Sequence, residues 1–155
     1  MHPPVLDRID RGLLSRIQQN NRRPLRDLAD DLGISAPTCL RRMRRLESLG
    51  VIRGHMALLD ASRIGLEVTA FVEVSLTQAS GAEMAAFERR MQRCPEVTQC
   101  SEMAGEVDYV LTVITQNMRA FSEFTRKHLA DDRRVRAFRS MLVLRQTKNE
   151  HVLPV

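Results

Sequence analysis

The chain has 155 residues, 43% of them hydrophobic and 28% charged, and a net charge of +5; this excludes a disordered chain and allows one domain or two small ones. No apolar run approaches the roughly 20 residues that span a bilayer, and the opening "MHPPVLDRID" lacks the basic and apolar regions of a signal peptide. The positive charge is uneven: residues 1–60 hold 11 Arg against 7 acidic residues, a net of +4, while residues 61–155 net only +1, so a polyanionic partner is sought at the amino-terminal end.

Asp7 predicts the cap of a first helix, in which Ile9, Leu13, Leu14 and Ile17 recur at three- and four-residue intervals until "QNNRRP" ends it. A second helix over 25–32 gathers Leu25, Leu28, Ala29 and Leu32, then stops at Gly33. Ser35 is the expected N-cap of a third helix that runs to about residue 49 and is closed by Gly50. Pro37 sits one place deeper than the favoured first helical position, still in the first turn, where its missing N–H costs nothing. Two short helices joined by a tight turn containing Gly make a helix-turn-helix pattern, with Ala29 and Gly33 at its small-residue positions. The next stretch, "VIRGHMALLD", alternates loosely and predicts a strand acting as a wing or a linker.

From Glu67 the period becomes two. Val68, Ala70, Val72, Val74 and Leu76 share one face; Thr69, Phe71, Glu73 and Ser75 share the other. A helix with Met84, Phe87 and Met91 on one stripe follows. Strands over 97–103 and 109–115 come next, joined by the turn "AGEVD". A second helix carries Met118, Phe121, Phe124 and His128, and a last strand covers 135–145. The order is βαββαβ, a ferredoxin-like antiparallel sheet with both helices on one face. The fold class expected is therefore α+β: a winged helix-turn-helix domain at 1–53, a strand linker at 54–66, and a ferredoxin-like domain at 67–155.

The third helix contains Arg41, Arg42, Arg44 and Arg45. On a helical wheel Ala36, Cys39, Leu40, Met43 and Leu46 fall in one arc and should pack inward, with Thr38, Arg41 and Arg45 opposite and Arg42 and Arg44 at the edges. Four arginines with only Glu47 nearby repel one another unless an anion neutralises them. A basic cluster alone is often a solvated face. On the second helix of a helix-turn-helix it predicts insertion into the DNA major groove, where Arg can pair with guanine. Thr38 and Arg41 are the expected contacts to base edges, and Arg42 and Arg45 contacts to bases or phosphates. Ser35 opens that helix and is grouped with them; Arg22, Arg23 and His55 are expected at the DNA backbone.

Cys39, Cys94 and Cys100 are odd in number and form no C-x-x-C pair, which predicts buried free thiols. His2, His55, His128 and His151 show no ligand spacing, so no metal is expected. There is no G-x-S-x-G, Walker A or H-E-x-x-H motif, and catalysis is not expected.

The segments "LDRIDRGLL", "LADDLGIS", "CLRRMRRLESLGVIRG", "ALLD" and "GEVDYVL" resemble, in order and over nearly the whole chain, the Lrp/AsnC (leucine-responsive, or feast/famine) transcription regulators. The resemblance implies an amino-terminal winged helix-turn-helix for double-stranded DNA, mapped on residues 25–44. It also implies a strand linker and a ferredoxin-like domain that binds a small amino-acid effector and oligomerises. Such proteins dimerise through the sheet and assemble further into tetramers or octamers, in the cytoplasm and on the nucleoid. By analogy Gly105 and Asp108 border an effector pocket between adjacent dimers, and effector-response positions fall at Met118, Met141, Leu142 and Val143. On residue type alone "AGEVD" is equally a β-turn with Gly and Asp chosen for turn geometry. Val107 stands where many relatives carry an aromatic, and His55 where many carry Tyr. The rival to a sequence-specific regulator is an architectural protein that wraps DNA with little sequence preference.

Overall fold

In the computed structural model, which describes residues 3–78, 80–150 and 152–155, Asp7 opens the first helix with a complete capping box. Its side chain accepts from Asp10 N at 2.8 Å, and the Asp10 carboxylate accepts from Asp7 N in return. The helix, α1, spans Arg8–Gln19; α2 spans Leu25–Leu32 and α3 Ala36–Ser48. Ser35 caps α3 by accepting from Thr38 N, and Pro37 lies in its first turn as expected. Gly33 ends α2 with φ +66°, a left-handed conformation in which a Cβ would be strained. Gly12 serves packing instead: a Cβ there would stand 2.8 Å from Leu32 Cδ2, so glycine lets α2 approach α1.

The core of this unit is Leu13, Leu14, Ile17, Leu28, Ala29, Cys39 and Leu46, with Ala36 and Met43 packed at its margin. Leu40, expected in the same arc, is 37% exposed and absent from that core. The chain divides into two compact units, residues 1–58 with 148–155, and residues 59–147. The returning tail is fastened to α1, because the Gln18 side-chain amide donates to Leu153 O (3.2 Å) and accepts from Leu153 N (2.7 Å). The strand expected over 51–60 does not form within the chain: residues 53–60 run exposed and without a ladder, since no strand of the described residues lies beside them to pair with.

The second unit is a four-stranded antiparallel sheet of order β2-β3-β1-β4, with β1 Val68–Leu76, β2 Val97–Glu102, β3 Tyr109–Thr115 and β4 Val135–Leu142. Helix α4 (Gly81–Met91) follows β1, and α5 (Met118–Thr125) follows β3 and runs on as a π-helical turn over Arg126–Ala130. The expected inward face is observed: Ala70, Val72, Val74 and Leu76 are buried with Leu111 and Val113 of β3, Phe87 and Met91 of α4, and Phe121 and Phe124 of α5. Strand β4 ends at residue 142 rather than 145, because β1 begins at Val68 and after the Val143 N to Thr69 O bond little partner strand remains. Cys39 and Cys94 are buried free thiols as expected, whereas Cys100 is exposed, because β2 is an edge strand. His2 and His151 lie outside the described residues. No helix among the described residues is long and apolar enough to cross a membrane.

His128 is half-buried, stacked on Phe124 at 5.2 Å and 3.4 Å from the Cys94 thiol. Burial, then the positive charges of Lys127 and Arg90, pull its pKa below the ordinary value, with Glu96 opposing. Below about pH 6.5 an unfolded histidine takes up a proton that this site resists, so stability falls with acidification. Thermal unfolding between about pH 7.5 and 5.5 is expected to show a smaller loss of Tm for His128→Gln than for the wild type.

Candidate nucleic-acid interface

Asp10 is 1% exposed, and its carboxylate organises the arginine helix. Oδ1 accepts from Arg42 Nη1 at 2.7 Å and Oδ2 from Arg45 Nη1 at 3.1 Å. Arg42 Nη1 also reaches Asp7 Oδ2 at 2.7 Å. The backbone N–H of Asp10 and then Arg42 hold the Asp7 carboxyl below its usual range, and the two carboxylates raise the Arg42 pKa in turn. The four arginines are therefore not alike. Arg42 and Arg45 face α1 and are neutralised there, while Arg41 and Arg44 are exposed with no carboxylate within 4.0 Å among the described residues.

That corrects the wheel. With Cys39 and Leu46 turned inward, the outermost stripe is Pro37, Arg41, Arg44 and Ser48, at intervals of three and four residues. Arg45, expected opposite the core beside Arg41, lies at the edge with Thr38. The error has a simple source: a wheel counts only charges on its own helix, and the acids come from α1, more than 30 residues earlier.

The remaining expected contacts differ in freedom. Ser35 is exposed and its hydroxyl donates to Thr38 Oγ1 at 2.9 Å, which leaves Thr38 half-buried and partly engaged. Arg22 is exposed and unpaired among the described residues, whereas Arg23 is bound to Asp31 at 2.8 Å. His55 is exposed and stands 3.7 Å from Glu47 Oε1. Arg53, not singled out from the sequence, is exposed just past the turn that ends α3.

In the second unit the expected ligand residues fall at two ends of the sheet. The register of β1 and β4 shifts between Ser75 and Leu76, and there Asp108 Oδ2 accepts the Leu76 N–H at 2.6 Å. Asp108 N also donates to Val74 O at 3.0 Å. Asp108 is thus a structural anchor, with one carboxylate oxygen committed to the backbone. Gly105 is exposed, its φ is not positive, and a Cβ there would meet nothing within 4 Å. Leu142 pairs with Ala70 and Met141 with Phe71, while Val143 bonds to Thr69 O; Met118 follows Thr115, which pairs with Val68. Six residue steps along β1 take Ala70 to Leu76, which at about 3.3 Å each is roughly 20 Å. One chain brings Met118, Met141, Leu142 and Val143 to one end and Gly105 and Asp108 to the other. Met118 is 51% exposed, as the first residue of α5, at that sheet end.

A helix-turn-helix with a free cationic face, joined to an α/β sandwich with an open loop and an exposed sheet end, defines a DNA-binding protein with a separate second domain. Residues 6–53 match the winged helix-turn-helix DNA-binding family, and residues 69–153 match the Lrp/AsnC ligand binding domain. A leucine-responsive regulatory protein of Rhizobium meliloti is 40% identical over 93% of this chain and 92% of its own. The Bkd operon transcriptional regulator of Pseudomonas aeruginosa is also 40% identical, over 77% and 78%. Among solved structures, a Neisseria meningitidis transcriptional regulator in complex with L-Met superposes with a TM-score of 0.91 at 32% identity, covering 97% of each chain. An AsnC family regulator from Agrobacterium tumefaciens gives 0.90 at 32%, over 96% and 97%. The chain belongs to the Lrp/AsnC family: it is a DNA-binding transcriptional regulator with a ligand-binding domain, and not an enzyme.

Asp10→Ala is expected to cost about 1–3 kcal/mol of stability, since it removes three hydrogen bonds to a buried carboxylate while the released arginines regain water. Arg42→Ala is expected to lower Tm as well, and Arg41→Ala to leave it unchanged; equal Tm values for the two variants would contradict the division of the arginines. Asp108→Ala strands the buried Leu76 N–H and is expected to cost about 1–3 kcal/mol, with Asp108→Asn recovering part of it in denaturant unfolding.

Proposed function

We propose that this protein is a sequence-specific transcription regulator in which Arg41 and Arg44 of α3 reach base edges in the major groove, and that a small amino acid bound between copies shifts its DNA affinity or assembly. The observation that carries the DNA reading is the sorting of the arginines. Two are spent on Asp7 and Asp10 to hold α3 against α1, and two remain free on the outermost stripe of the helix. Unpaired cations on a helix cost self-repulsion in the free protein, and phosphates and guanines relieve it. Arg22 and Arg53, exposed and without acidic partners among the described residues, suit phosphate contacts, with Ser35 and Thr38 at the helix start and His55 beyond its end. Arg23, Arg42 and Arg45 are positioning residues in this reading, each bound to an aspartate.

The ligand reading rests on the division of the sheet. Gly105 and Asp108 stand about 20 Å from Met141, Leu142 and Val143, farther than an amino acid reaches, so a site that uses both sets takes one from each of two copies. The free Asp108 oxygen can meet an ammonium group, and the exposed backbone of the 104–107 loop can approach a carboxylate. The L-Met complex of the Neisseria relative supports an amino acid as the ligand. The outer sheet face, with Phe71 and Met141 exposed beside Val110 and Ile114, suits a second copy, and a dimer built on it can assemble further into tetramers or octamers. A ligand that favours one assembly changes how many half-sites are gripped together, about 34 Å or a multiple apart.

Arg41→Ala and Arg44→Ala are each expected to weaken binding to a selected operator by about 1–3 kcal/mol with unchanged Tm, measured against excess random duplex. Equal wild-type affinity for operator and random DNA would overturn the sequence-specific reading and favour DNA wrapping. In a thermal-shift screen of the twenty amino acids, a true ligand at 100 times its Kd is expected to add about 2.7 kcal/mol to the folded state; no shift with any of them would overturn the effector.

A further inference from the structure

The apolar residues of α3 divide in an unexpected way. Cys39 and Leu46 are fully buried, and Ala36 and Met43 pack against the core, but Leu40 takes no part in it and stands 37% exposed. It is adjacent to Arg41 and one turn before Arg44, the two arginines of α3 with no acidic partner among the described residues, and Pro37, also exposed, lies one turn before it. The surface that α3 offers is thus mixed: two free guanidinium groups beside an isobutyl side chain and a pyrrolidine ring.

Among the four bases only thymine offers an apolar group at its major-groove edge, the C5-methyl, and an aliphatic side chain is its natural partner. We propose that Leu40 is a specificity-determining residue that reads a thymine methyl next to the base contacted by Arg41 or Arg44. The contact would remove from water both the methyl and the exposed part of Leu40, at no cost in hydrogen bonds. It would discriminate against cytosine at that position and against any base without the methyl. The inference rests on the DNA reading above and adds to it the identity of a base. A leucine alone on a surface is ordinary; its place beside the two free arginines of the helix proposed to enter the groove is what points to a methyl.

The test uses the full-length protein. A preferred duplex is first selected from a random library, and each thymine in it is then replaced singly by deoxyuridine, which removes the methyl and leaves base pairing intact. The expected result is one position per half-site at which the replacement weakens wild-type binding about fourfold, the worth of one buried methyl. Leu40→Ala binds more weakly and is insensitive to the same replacement. Because Leu40 is only partly covered, Leu40→Ala is expected to lower Tm slightly and to stay folded at the temperature of the binding assay, and Leu40→Val provides a milder second variant. A selected duplex whose binding no deoxyuridine affects overturns the inference alone, as does a position that weakens wild type and Leu40→Ala equally. Failure to select any duplex overturns the DNA reading and the inference with it.

Discussion

The carboxylate of Asp10 is the interaction on which the amino-terminal unit depends. It lies in the first turn of α1, out of water, and it would be an expensive charge to bury without the guanidinium groups of Arg42 and Arg45. The same group closes the capping box with Asp7, so one side chain starts α1 and binds it to α3. With α3 held on that edge, rotation about its axis is restricted, and the stripe carrying Arg41 and Arg44 is presented outward. Specific reading of DNA needs such a restriction, because a helix free to roll would offer each base a blurred set of donors. A guanidinium that completes the clamp is already paired, which is why the run of four does not present four equivalent cations.

A second constraint governs the other unit. Both layers of the βαββαβ fold are satisfied by packing Phe87, Met91, Phe121 and Phe124 on the inner sheet face, which leaves the outer face and the strand ends open. Asp108 fastens one of those ends by taking the Leu76 N–H where the register shifts. The residues that the family resemblance groups together are then too far apart along β1 to meet around one small molecule within a chain. In the proposed reading ligand binding and assembly would be joined for this geometric reason: a ligand that needs both ends would link two copies, and its affinity would be tied to their association.

Much of the architecture was legible in the order of residues. Asp7 and Ser35 as caps, Gly33 as a stop, and the alternation from Val68 to Leu76 all have local causes, and each element was found near its expected place. The candidate site was legible only in part. The outward place of Arg41 follows from the wheel, but the ion pairs of Arg42 and Arg45 do not, because their aspartate partners lie more than 30 residues away at the start of α1. Leu40 was assigned to the core because the wheel cannot show how wide a stripe its neighbours cover. The exposure of Cys100 is not legible in the sequence, because the pattern of a strand does not say whether it is central or at an edge. The segment 51–60 was read as a strand from its alternation, yet a strand needs a neighbour, and the chain supplies none among its described residues.

The sequence by itself determined the two-part plan, the helix-turn-helix and the βαββαβ order, because caps, turn residues and periods of 3.6 and 2 act over a few residues of backbone. Only the tertiary structure decided which cations are free and which carboxylates are spent. It also decided that Leu40 is partly exposed and that the residues expected to meet a ligand divide between two ends of one sheet. These depend on how helices cross and how strands are ordered, and so on groups 30 or more positions apart brought within 3 Å of each other.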